Sequence, residues 1–378
     1  MKGPITLLAI VLLTSCAGPG ATPTPLPTES PSPPAPDATP EATPGLTPDA
    51  TPDATPEATP EATPDEGTFS NPVLEVNFAD PHVIEVDGTY YAYATVGHGH
   101  NIQYSTSTDM VTWERPRDAL PRLPLWSAGH TWAPEVAETS AGFVMYYTLR
   151  ASALRRPDGQ GSQCISIAVA DDPAGPFVDE NDEPVICQPE LGGSIDAHHF
   201  IDEEGTAWLV WKNDGNCCSM ATRMWMQQVS EDGLELVGEP IDMGVRNDQS
   251  WEGALIEAPT VLHHDGTYYL FYSANAYYDD TYAVGYAVSE SVTGPYEKPH
   301  NEPILSSERP AAGPGGQAIF TDAAGDLWVY YHAWDYAAMG EQAGGRRAMW
   351  LDRLTFENGR PVIHGPTADP QPAPQTEQ

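Results

Sequence analysis

Five times along this chain an apolar strand runs into a tight turn and back into a second strand rich in aromatics. The copies are DPHVIEVDGTYYAYAT (80–95), PEVAETSAGFVMYYT (134–148), DAHHFIDEEGTAWLVWK (196–212), IEAPTVLHHDGTYYLFYSANA (256–276) and QAIFTDAAGDLWVYYHA (317–333). Asp-Gly at 87–88 and at 265–266 supplies the positive φ values that a two-residue hairpin needs. The turn glycines are Gly88, Gly142, Gly205, Gly266 and Gly325, and subtraction gives spacings of 54, 63, 61 and 59 residues. A near-constant period of this length, in strand-forming sequence, suits four-stranded propeller blades. A shorter strand pair around a polar turn follows each copy, at 103–114, 165–178, 226–237, 284–297 and 350–362. The expected architecture is all-β, a five-bladed β-propeller.

Counting back eight or nine residues from each turn glycine reaches Asp80, Pro134 (with Glu135 beside it), Asp196, Glu257 and Gln317. Three innermost strands therefore begin on an acid. Propeller symmetry gathers those starts around the central channel on one face. Converging carboxylates repel one another and serve no structural purpose there, but acid–base chemistry needs them. A solvated strand-end carboxylate explains any one of them alone; three in register point to a site.

The flanks read differently. Met1 to Ser15 carries Lys2 and an apolar run, Ile5 to Leu13, too short to span a bilayer. It ends in Leu-Thr-Ser-Cys, like the lipobox cleaved before a lipid-modified Cys16; an ordinary signal peptide is the alternative, and both imply export. Residues 17–67 repeat Ala-Thr-Pro with nine acids and no Lys or Arg, a composition that buries no core and reads as an extended linker. The domain is expected over 68–365, with a Pro-rich tail at 366–378.

The net charge of −38, from 16 basic and 54 acidic residues, argues against nucleic acid as a partner. The expected membrane contact is only a lipid anchor at Cys16, and the expected state is a monomer. Four further cysteines, Cys164, Cys187, Cys217 and Cys218, suit disulfides in an exported protein. Cys164 and Cys187 flank an outer hairpin, assigned to the third repeat unit, and would staple it; Cys217 and Cys218 form a vicinal pair or find other partners. Three pairings are open. No His stands at zinc-ligand spacing beside a Cys-x-x-Cys.

Six motifs, NPVLEVNFADP (71–81), WAPEV (132–136), GSIDAHHF (193–200), IEAPTV (256–261), GPGGQAI (313–319) and YHAW (331–334), occur in order at the expected blade positions. Together they resemble glycoside hydrolase family 43, the arabinanase and β-xylosidase type of propeller, over residue 71 to about 363. The resemblance implies an enzyme that inverts configuration at a furanoside or xylopyranoside centre. It implies Asp80 as general base, Glu257 as general acid, and Asp196 as the group that orients the acid and raises its pKa. Such a mechanism needs the base and acid roughly 6.5–9.5 Å apart. Phe78 and Trp132, with Trp251 and Tyr277 from loops, are candidates to stack on a sugar ring. Of Arg346 and Arg347, the second is placed in the substrate site. The resemblance also implies that His332 helps to hold a metal ion, usually calcium, in the channel through water; a hydrogen-bonded core histidine is the alternative. No cofactor is expected for the chemistry itself. GPGGQ and HAW favour an arabinose-containing plant polysaccharide over xylosides, with a β-xylosidase, a glycan-binding propeller without catalysis, or a purely structural propeller as the alternatives.

Overall fold

The computed structural model describes residues 67–376. The signal peptide, the lipobox Cys16 and all of the linker before Gly67 lie outside the described residues. The described chain begins with β1 (Thr68–Phe69). Blade 1 follows as β2 (His82–Val86), β3 (Thr89–Ala94), β4 (Gln103–Ser107) and β5 (Arg117–Asp118). Blade 2 is β6 (Trp132–Thr139), β7 (Gly142–Arg155) and β8 (Gly161–Ala170). Blade 3 is β9 (Ser194–Ile201), β10 (Ala207–Asn213), β11 (Arg223–Val229) and β12 (Leu236–Arg246). Blade 4 is β13 (Ile256–His264), β14 (Thr267–Ala274) and β15 (Ala283–Ser289), and blade 5 is β16 (Ala311–Thr321), β17 (Leu327–Asp335), β18 (Ala348–Glu357) and β19 (Arg360–Ile363). All pairings within the blades are antiparallel. In blades 2 and 4 the fourth position is filled by isolated pairings, Val169 with Val178 and Val288 with Glu297. The protein is a five-bladed β-propeller.

The second strands read as nearly continuous apolar runs because both faces of each blade are covered by neighbours. Alternation sends successive side chains to opposite seams. Trp328 and Tyr330 of β17 join the core against Val83, Tyr90 and Ala92 of blade 1, whereas Val329 and Tyr331 join the core against Tyr269 and Phe271 of blade 4. Five such cores form, one between each pair of adjacent blades.

The tight turns behave as the sequence requires. Asp87 and Gly88 have φ of 51° and 76°, and Asp265 and Gly266 have 48° and 76°. The longer turns are built on aspartate: Asp202 accepts from the Glu204 and Thr206 amides and the Trp208 indole, and Asp322 repeats this with Ala324, Asp326 and Trp328. Cys164 is bonded to Cys187, and Cys217 to Cys218. The hairpin stapled by the first pair belongs to blade 2 rather than the third repeat unit, because Ile165 and Val169 of β8 pair with Ile186 and Val178.

Each blade is contiguous in sequence, so the ring needs a separate closure. Residues 71–78 provide it by lying along β18. The Val73 amide donates to the Met349 carbonyl, the Phe78 amide to the Arg347 carbonyl, and the Asn71 side chain brackets Leu351 by donating to its carbonyl and accepting from its amide. The stretch after 365, set apart by its prolines, also packs on the propeller. β20 (Gln371–Pro372) pairs with β1, and Gln371 donates to Asp352. Prolines are tolerated there because a two-residue edge strand has few ladder donors to lose.

Candidate active site

A cavity of about 780 Å³ opens at the mouth of the channel, lined by Asp80, Pro134, Glu135, Asp196, Glu257 and Gln317. All five equivalent positions thus meet in one place. The backbone there is unusual in the same way in every blade. Asp80, Ala133, Asp196, Ala258 and Gly316 have φ of 54°, 41°, 58°, 50° and 61°. In blades 2, 4 and 5 the strand register shifts at this point, and in blade 3 it shifts across Val210 and Lys212 opposite it. Each non-glycine in this left-handed region costs on the order of 1–3 kcal/mol, and such strain collects at functional sites. The acids are also not strictly equivalent: Asp80 and Asp196 are themselves the left-handed residues, whereas Glu257 stands one residue before Ala258. That offset turns Glu257 toward blade 3.

There Glu257 accepts two hydrogen bonds, from the Tyr282 hydroxyl to Oε1 at 2.7 Å and from Lys212 Nζ to Oε2 at 3.0 Å. Lys212, on β10, is fully buried and also donates to Asn216 Oδ1 at 2.8 Å. Asp196 accepts from the Ala258 amide at 3.0 Å. Burial, and then the negative charge of Glu257, push Asp196 up to about 8 against the opposing charge of Lys212. It therefore keeps its proton at neutral pH.

Asp80 sits in a different socket. Its Oδ2 accepts from the Thr95 hydroxyl at 2.5 Å, its Oδ1 lies 3.4 Å from His332 Nδ1, and Arg347 is 3.9 Å away. The Asp80 amide donates to His332 Nδ1 at 3.1 Å, so that ring nitrogen is unprotonated. Burial, reinforced by Arg347, holds the His332 pKa well below its usual value, and the ring is neutral. The GPGGQ motif has its explanation here: a Cβ on Gly316 would lie 2.7 Å from His332 Nδ1 and 2.8 Å from Asp80 Oδ1. Arg347 lines the cavity with its guanidinium 5.0 Å from the centre of the Tyr277 ring, while Arg346 points to solvent and pairs with Glu75.

Two residues further along the inner strands of blades 1 and 3, His82 and His198 flank Glu135, and all three line the same cavity. Their Nδ1 atoms lie 2.8 Å and 3.1 Å from its carboxylate. Burial opposes charge on His82, but Glu135 and a contact to the Val136 carbonyl raise its pKa. Burial likewise opposes ionisation of Glu135, and the two histidines overcome it and hold the carboxyl well below the usual range.

Two of the residues expected to stack on a sugar do not line the cavity. Phe78 is 0 % exposed, packed in the core between blades 5 and 1, because the closing segment turns its ring inward. Trp251 stacks on Tyr272 at 6.0 Å and donates to Gln249, filling the seam between blades 3 and 4. Trp132 and Tyr277 do line the cavity. Sequence reasoning missed Lys212 and Tyr282. The lysine carried a signal, a lone cation ending the run Ala-Trp-Leu-Val-Trp, where a buried charge demands a partner. Tyr282 stood among many aromatics and carried none.

The arrangement offers a carboxylate with a fixed socket on one side, a hydrogen-bonded carboxyl on another, and a third acid that holds a proton. That set can move protons to and from a bound molecule. The family model described as Glycosyl hydrolases family 43 matches residues 69–361. Among curated proteins, the chain is 24% identical to a β-D-galactofuranosidase of Aspergillus niger, over 78% of this chain and 84% of that one. It is 27% identical to an extracellular exo-α-(1→5)-L-arabinofuranosidase of Cellvibrio japonicus, over 59% of this chain and 67% of that one. A crystal structure of a thermostable family-43 glycoside hydrolase superposes with a TM-score of 0.72 at 33% identity, covering 82% of this chain and all of that one.

Proposed function

The chain belongs to glycoside hydrolase family 43, and from that premise we propose that it is an exported inverting hydrolase of α-L-arabinofuranosyl bonds in plant polysaccharide. The observation that carries the reading is the meeting of Asp80, Asp196 and Glu257 in one cavity, each in a different environment. In this reading Glu257 gives a proton to the leaving oxygen, and Asp80 takes one from the attacking water. Asp196 positions Glu257 through the backbone, by accepting from the amide of the next residue, Ala258. The Thr95 hydroxyl donates to the carboxylate of the base, His332 fixes its backbone by accepting from the Asp80 amide, and Arg347 lies beside it, which supports an in-line attack. Trp132, Tyr277 and Arg347 offer a stacking face and a cation for sugar hydroxyls.

A second reading, a β-D-galactofuranosidase, is favoured by the Aspergillus niger relative. The two sugars share their ring configuration and differ in the exocyclic chain, so one pocket can be tuned to either. A β-xylosidase has support from a Bacillus subtilis relative, 26% identical over 70% of this chain but only 49% of that protein. Export is supported by the two disulfides and by relatives whose names call them extracellular. Anchoring through Cys16 and a monomeric state are further parts of the proposal.

Calcium in the channel rests on one observation. His332 Nε2 is buried without a partner, and because Nδ1 accepts from Asp80, Nε2 carries the hydrogen. It would hold the ion through a water, as a donor to that water, and a calcium ion bound there would supply positive charge near Asp80. Among the described residues no group of three or more His, Cys, Asp or Glu is arranged to hold a metal directly.

The test is sugar release from debranched arabinan and from the 4-nitrophenyl glycosides of α-L-arabinofuranose, β-D-galactofuranose and β-D-xylopyranose. Glu257→Gln and Asp80→Asn should each lose at least about 100-fold in kcat on the true substrate while keeping the wild-type circular dichroism spectrum. Arabinose from the small glycoside supports exo action, and oligosaccharides from arabinan alone support endo action. Galactose or xylose as the preferred product would displace the arabinose reading.

A further inference from the structure

Lys212 has no access to solvent, yet its ammonium is 3.0 Å from Oε2 of Glu257. A buried lysine persists only where acceptors and negative charge surround it. Here Asn216 Oδ1 and Glu257 Oε2 accept its hydrogens, and Asp214 Oδ1 lies 3.9 Å away. Burial works against the charge, but Glu257, Asp214 and Asp196 outweigh it and raise the Lys212 pKa, so the group stays a cation through the working pH range.

An ammonium donates hydrogen bonds and accepts none. Oε2 of Glu257 therefore accepts from Nζ in both protonation states of the carboxyl, and a proton added to that oxygen would be set against a cation. Oε1 faces the Tyr282 hydroxyl at 2.7 Å, and a hydroxyl either donates or accepts. Resting on the reading of Glu257 as general acid, we propose that Lys212 is a positioning residue that confines the transferable proton to Oε1 of Glu257.

When the glycosidic C–O bond breaks, its electron pair stays on the leaving oxygen and the proton passes to it from Oε1. Water bonds to the anomeric carbon and gives its own proton to Asp80. Glu257 is left a full carboxylate, paired with Lys212 at Oε2 and ready to accept from Tyr282 at Oε1. The loop that fixes Nζ, residues 214–218, is clipped by the Cys217–Cys218 bond and lines the cavity at Asp214, Asn216 and Cys217.

The experiment compares two substrates with the same sugar, one with a methyl or sugar leaving group and one with 2,4-dinitrophenolate, which departs without protonation. Lys212→Met is nearly isosteric and removes the charge. It should lose about 100-fold in kcat/KM on the unactivated glycoside and less than about threefold on the dinitrophenyl one, the size of a lost general-acid contribution. The alkaline limb of the pH profile should also move for the unactivated substrate, and Lys212→Arg should recover part of the loss. Equal losses on both substrates would reduce Lys212 to a structural role and overturn the proposal. If Lys212→Met does not fold, Asn216→Ala must show the same selectivity for unactivated substrate, and an unselective loss there overturns the proposal as well. A wild-type protein inactive on both glycosides, over the three sugars tried, would instead bring down the hydrolase reading on which this rests.

Discussion

Replacing Asp196 with asparagine should make the protein more stable, with the gain in stability confined to higher pH. The substitution preserves the shape of the side chain and an oxygen to accept from the Ala258 amide. It also suits the backbone, since φ at 196 is 58° and asparagine tolerates the left-handed region better than most residues. What it removes is a proton uptake. Asp196 titrates at about 8 in the fold against 3.8 when unperturbed. Because the folded value is the higher one, the unfolded chain releases this proton first, and wild-type stability falls as pH rises from about 4 toward 8. At pH 7 the difference is roughly 3 pH units at about 1.4 kcal/mol each, or about 4 kcal/mol. Solvent reaches the carboxyl through the cavity mouth, and screening brings this to about 2 kcal/mol. For a domain of this size that is a rise in Tm of about 4–8 °C. Thermal unfolding followed by circular dichroism from pH 4 to pH 9 measures it. Near pH 4, wild type and variant should melt together; at pH 8 they should separate. A Tm gain equal at both pH values, or a loss at pH 8, would refute the account of Asp196 as a carboxyl held protonated by burial and by Glu257.

Gly316→Ala places a Cβ against His332 and Asp80 on a left-handed backbone. It should cost about 2 kcal/mol in urea unfolding, and kcat should fall at least about tenfold as Asp80, the proposed base, is displaced. Glu135→Gln leaves His82 without its counter-charge and should lower stability by about 3 kcal/mol. The Glu135 contribution is present above pH 4.5 and the His82 contribution below pH 6.5, so the loss should be largest between those values and shrink on either side. Cys164→Ala with Cys187→Ala opens a loop of sequence separation 23, and unfolding should become easier by about 3 kcal/mol, read as a lower midpoint of denaturation.

The ring of blades was legible because its determinants are local. A turn with φ above zero needs Asp-Gly, and a strand covered on both faces needs an unbroken apolar run; both show in a single sequence. The convergence of Asp80, Asp196 and Glu257 followed from repeat symmetry alone. What symmetry could not convey was the one-residue offset of Glu257, since the bulge that produces it leaves no residue type as a signature: its left-handed residue is an alanine at 258 as at 133. Phe78 and Trp251 pack away from the cavity for a related reason. An aromatic beside a catalytic position in sequence alternates away from it in a strand, or is drawn into a seam by the segment that carries it. His82, Glu135 and His198 were present as letters in HVIEV, WAPEV and DAHHF, but only three adjacent inner strands bring them together.

The segment that closes the ring, 71–78, also ends two residues before Asp80, and its partner on β18 begins beside Arg347. Assembly order follows from this. A chain made from its N-terminus presents Asp80, Asp196 and Glu257 before any of blade 5 exists, and domains fold as their residues emerge. The groups that grip Asp80 come last: Gly316, His332 and Arg347 all lie in the final 63 of the 378 residues. In the proposed roles a nascent chain therefore carries Glu257 and Asp80 long before Asp80 has its socket, and hydrolysis is expected only when the last blade docks on the first. Cell-free synthesis sampled over time should show no turnover until full-length chains appear; activity from shorter chains would mean that Asp80 works without the socket blade 5 provides.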